Sequence, residues 1–137
     1  MKKMDASDPV RDFLRQRGCP DHVIKNGLRG LIENWEEVVE SVARSYRLGL
    51  DDYLNDLDGR QLLEEVLVVA PKEKRAEYLE RLRRVDERMK TLVEPAGRCL
   101  WGDEVAESEG WTAERNWWYF SKPIHAVPEL LSEIENA

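Results

Sequence analysis

Cysteine is nearly absent from this chain. Only Cys19 and Cys99 occur among its 137 residues, too few for a disulfide framework, so the fold must be held by packing rather than by covalent staples. A long apolar run is missing as well. The longest is Val66 to Ala70, against the roughly 20 residues that a bilayer-spanning helix needs. The start of the chain carries Lys2 and Lys3 with no apolar stretch behind them, which does not read as a secretory leader. Reduced thiols and no visible export signal lead to the expectation of a cytoplasmic protein without a membrane association.

Positive charge is the minority sign. Twenty-one Lys and Arg stand against 28 Asp and Glu, a net charge of −7, and such a surface repels phosphate backbones over most of its extent. Nucleic acid is therefore the less favoured class of partner. With 42% hydrophobic and 36% charged residues, the chain is neither apolar enough for a membrane protein nor depleted enough for a disordered one. Its length suits a single domain over residues 1–137 with one core.

Several chemical signatures are missing too. Gly27 and Gly30 lack the lysine and hydroxyl of a phosphate-binding loop, and no Glu-x-x-His element of a di-iron bundle occurs. Asp51, Asp52, Asn55, Asp56 and Asp58 before Gly59 invite a calcium loop, with Glu65 at the last ligand position. The register fails, because Leu54 falls where the first aspartate is required.

What is present is helical periodicity. Asp8 or Ser7 before Pro9 reads as a cap with proline in the first turn, and Gly18 as the stop of a helix over about 9–17. Gly27 predicts an interruption. From there Leu28, Leu31, Ile32, Trp35, Val38, Val39, Val42 and Tyr46 fall three and four apart, the strongest amphipathic stripe in the chain. A third helical region opens after Gly49, with a turn or kink expected at Asp58-Gly59 and helix resuming from Arg60 to Ala70. Another long helix is expected over 73–93, its stripe passing through Leu79, Leu82, Val85 or Asp86, and Met89. Pro128 opens a last helix. The expected fold is all-α: an antiparallel bundle of about four to six helices with an irregular, tryptophan-rich C-terminal segment that includes at most a short strand.

Three groups of residues are candidates for function. Four of the five tryptophans lie beyond residue 100. Within Trp117-Trp118-Tyr119-Phe120 an extended backbone would make both faces apolar. Trp111, Arg115, Trp117, Trp118, Tyr119 and Phe120 are accordingly the candidate partner-binding residues, since Trp, Tyr and Arg are enriched at interface hot spots. Burial in the chain's own core explains the same residues. Cys19 with His22, and Cys99 with His125, supply one set of soft ligands or a thiol–imidazole pair, although the second pair is spread too widely for a dedicated zinc module. Finally, Lys72 to Lys90 holds eight bases against five acids, a local +3, in which Arg81, Arg83, Arg84 and Arg88 could meet nucleic acid or simply the acidic flank Glu33, Glu36, Glu37 and Glu40.

The sequence thus favours a non-enzymatic protein–protein interaction module with no cofactor, whose partner is another protein or a second copy. Size, charge and compartment resemble those of neutralising partners such as immunity proteins and antitoxins. A small metal- or cysteine-dependent enzyme using Cys19, His22, Cys99 and His125 is the first alternative. A nucleic-acid-binding regulator using the Arg81 to Arg88 cluster is the second.

Overall fold

A computed structural model of the chain describes residues 8–137. Six α-helices are present among them: α1 (Pro9–Gln16), α2 (Asp21–Ala43), α3 (Leu50–Val69), α4 (Lys72–Lys90), α5 (Asp103–Glu109) and α6 (Pro128–Asn136). Two short strands, β1 (Val93–Pro95) and β2 (Ser121–Pro123), pair antiparallel with Val93 opposite Pro123. This is the expected helical bundle with a small C-terminal sheet. The first helix starts as its sequence dictates, with an Asp8 carboxylate oxygen accepting the Arg11 N–H at 3.1 Å and Pro9 needing no acceptor.

Helix α2 organises the rest. Its stripe from Leu28 to Val42 is buried, Trp35 at 1% exposure, and α1, α3 and α4 all pack against it, whereas α3 and α4 touch each other little. Gly27 bends α2 with φ 58° and ψ −147°, a combination essentially restricted to glycine. An added Cβ there would lie 3.9 Å from Val10 Cγ1, an ordinary contact. Gly27→Ala should therefore lose about 1–3 kcal/mol through backbone strain alone, read as a lowered urea midpoint; an unchanged midpoint would mean the bend is not held in solution.

The turn expected at Asp58-Gly59 does not form, and α3 runs through it unbroken. Tertiary packing overrides the local preference: a Cβ at residue 59 would sit 3.3 Å from Asn34 Nδ2, so glycine lets α2 and α3 approach closely. A continuous α3 also removes any calcium loop. The helix expected over 73–93 ends at Lys90, and Val93 belongs to β1. Trp117–Phe120 is a turn of 3-10 helix rather than an extended strand, and it packs on α3, as does α6.

Candidate functional site

Arg60 occupies the apolar face of α3 between Leu57 and Leu63, and is itself 4% exposed. A buried guanidinium needs a partner that satisfies both charge and hydrogen bonds. Asp86 of α4 provides it: Arg60 Nε donates to Oδ1 at 3.1 Å and Nη2 to Oδ2 at 2.8 Å. This two-pronged geometry matches the planar guanidinium to the carboxylate. The remaining Nη1 donates to Glu64 at 2.9 Å. Trp35 of α2 donates its indole N–H to the same Asp86 Oδ1 at 2.9 Å, and the Trp118 ring lies 4.2 Å from the guanidinium carbon, within range for a cation–π contact. Four elements therefore meet at one ion pair, buried on its Arg60 side and 15% exposed at Asp86.

Above this polar floor α3 and α4 leave an open groove of about 520 Å³. Leu67 and Val68 line one wall and Leu79 and Leu82 the other. Leu67 and Leu82 are buried, but Val68 is 74% exposed and Leu79 47%. Arg75 closes one end, donating through Nε to the Leu67 carbonyl at 2.9 Å and through Nη2 to the Ala70 carbonyl at 3.2 Å, which satisfies carbonyls left open at the end of α3. Nothing in the sequence periodicity singled out this groove. The available signals were Arg60 at an apolar spacing and Asp86 in place of a stripe residue.

The C-terminal aromatic candidates mostly face inward. Trp118 and Tyr119 are each 1% exposed. Trp111, half-buried, stacks on Tyr119 with ring centroids 4.1 Å apart. Tyr119 Oη donates to Asp58 Oδ1 at 2.6 Å, and Trp101 Nε1 donates to the same oxygen at 2.9 Å. Trp117 and Phe120 are half-buried, with the Lys90 ammonium 5.0 Å from the Trp117 ring. Arg115 is exposed and donates to the Gly110 carbonyl at 3.2 Å. The 3-10 backbone explains the difference from the two-faced strand: it turns Trp118 and Tyr119 together onto α3.

Cys19, His22, Cys99 and His125 do not assemble into a metal site. Among the described residues no three His, Cys, Asp or Glu side chains are placed to hold one ion. Cys99 is fully buried while His22 and His125 are exposed. Burial pushes the Cys99 thiol above its ordinary pKa, the opposite of what a nucleophile requires. The arginine cluster Arg81 to Arg88 of α4 is engaged with acids: Arg81 pairs with Glu36 of α2 at 2.6 Å, Arg88 with Glu40, Arg83 with Glu80 and with Glu87 at 2.6 Å, and Arg84 with Glu80 at 3.2 Å. Two of these contacts tie α4 to the acidic flank of α2.

A second groove, between α2 and α3, has the opposite character. Glu33, Glu37, Asp56 and Asp58 line it, and neither Lys nor Arg does. Asp56 accepts the Tyr46 hydroxyl at 2.5 Å. Burial raises its pKa from the ordinary aspartate value despite that hydrogen bond, and the neighbouring Asp52 adds to the rise. Folding thus favours the protonated form of this one group, so its contribution to stability is fully present below the ordinary aspartate pKa and is lost as pH rises through the raised one. Asp56→Asn should flatten that part of the stability–pH profile. An unchanged profile from pH 3 to 7 would show that Asp56 is solvated.

No family model matches this chain, and no curated protein and no solved structure matches it either.

Proposed function

We propose that this chain is a non-enzymatic protein-binding module that seats a partner in the groove between α3 and α4. The observation that carries this reading is the pair Val68 and Leu79, 74% and 47% exposed, which line a single groove from α3 and α4 together with the buried Leu67 and Leu82. Apolar side chains exposed together beside charged residues mark an interaction surface more often than singly scattered ones do. The buried Arg60–Asp86 pair beneath fixes the two walls, so the surface is formed before binding and little ordering cost is added.

Val68→Ser with Leu79→Ser tests this. Both side chains are exposed, so the double variant should stay folded within about 1 kcal/mol and lose a partner captured by the native chain, while Trp101→Ala, at another exposed apolar site, retains it. Capture that is indifferent to the groove variant sinks the reading.

The α2–α3 groove favours a second reading. Carboxylates without a lining cation suit a basic protein, as a neutralising partner of the immunity or antitoxin kind would meet. Binding there would weaken with salt and with Glu33→Gln and Glu37→Gln together; salt-insensitive binding would count against it.

A further inference from the structure

From the charge on the groove walls we infer the chemistry of the occupant: a helical protein segment with an apolar stripe and carboxylates toward both of its ends. This rests on the proposed groove reading and adds partner class to it.

The groove runs along one face of α4, through Arg75, Leu79, Leu82, Asp86 and Lys90, residues three and four apart and hence stacked on one stripe. Opposite, Arg60, Glu64, Leu67 and Val68 repeat the spacing on α3. Two helices that rest on a third without closing on each other leave a trough of the shape that a further helix fills in a bundle. Its apolar centre would meet apolar side chains of the segment at i, i+3 or i+4, and i+7.

The charges decide what flanks that stripe. All three lining carboxylates are already engaged, Asp86 and Glu64 by Arg60 and Glu87 by Arg83. The cations at the two ends have no carboxylate partner among the described residues. Arg75 uses Nε and Nη2 on backbone carbonyls, leaving Nη1 without a hydrogen-bond partner among the described residues. Lys90 is exposed over the Trp117 ring, and among the described residues neither cation lies in an ion pair. They stand fifteen positions apart on α4, about 22 Å along its axis or about four turns of an opposing helix. A carboxylate near each end of such a helix meets one cation each, while a basic segment meets repulsion at both.

The test is selection from a displayed library of helix-forming peptides of about 18 residues against the native chain, with the Val68→Ser/Leu79→Ser variant as counter-selection. Enriched peptides should carry the apolar stripe with Asp or Glu flanking it. Synthesised and labelled, the best of them should bind Lys90→Glu at least about threefold more weakly by fluorescence anisotropy, since the reversal removes one exposed ion pair and sets like charges together, and should weaken as salt rises. Groove-dependent peptides that are uncharged or basic, or that are indifferent to Lys90→Glu, overturn the assigned chemistry and leave the groove reading standing. Peptides that bind the counter-selection variant equally well, or competition by DNA or RNA for the same residues, overturn both.

Discussion

Asp86→Ala is expected to cost about 3–5 kcal/mol of folding stability. The side chain accepts three hydrogen bonds, two from Arg60 and one from Trp35, so its loss leaves a guanidinium 4% exposed with Glu64 as its one remaining carboxylate partner. The double variant Arg60→Met with Asp86→Leu supplies the contrast. Replacing a buried ion pair by apolar residues of similar volume is often close to neutral, because the desolvation of both charges is removed together. The double variant should therefore be more stable than Asp86→Ala. Equilibrium urea unfolding of native, single and double variants measures this, and a double variant no better than the single one would show that the pair is solvated rather than buried.

That pair also shows where the sequence ceases to be legible. The stripe from Leu28 to Val42 is legible because a helix packed on three neighbours has a wide apolar face, and the structure buries each of its members; Tyr46, expected on the same stripe, lies beyond the end of α2 at Ala43 and bridges Ala126 instead. Arg60 and Asp86 are not legible, because a charge at an apolar position has no meaning until the opposite charge is brought to it, and here the two lie on different helices. Asp58-Gly59 misled for a related reason: its turn preference is local, while Asn34 approaching Gly59, and Trp101 and Tyr119 donating to Asp58, are tertiary. Of the α4 arginines, Arg81 and Arg88 meet the acidic flank of α2, one of the alternatives the two charged runs suggest in sequence, whereas Arg83 and Arg84 pair with Glu80 and Glu87 of α4 itself. The groove left no local signature, since Val68 and Leu79 differ from core residues only by what fails to cover them.

The cost of the groove is borne by the same polar layer that builds it. Were α3 and α4 packed directly on each other, Val68 and Leu79 would be interior and Arg60 could be leucine. Instead the walls stand apart on α2, with the ion pair spanning the gap at its base and Arg75 capping its end. Spacing of this kind would suit the docking surface proposed for this groove.

Trp35 and Trp118 separate packing from hydrogen bonding at this base. Each is 1% exposed, so Trp35→Ala and Trp118→Ala should each lose about 3–5 kcal/mol, the range for emptying a tryptophan site in a core. Phenylalanine is the discriminating replacement. Trp35 donates its N–H to Asp86 at 2.9 Å, and a hydrogen bond to a charged group contributes about 1.5–3 kcal/mol. The Trp118 N–H is buried with no partner, so removing it relieves an uncompensated desolvation, while the phenyl ring keeps a face toward Arg60. Trp35→Phe should therefore lose about 1–3 kcal/mol more than Trp118→Phe, at similar denaturant slopes. Equal losses would mean that the Trp35 indole does not hold Asp86 in solution, and the position of Asp86 against Arg60 would then rest on the ion pair alone.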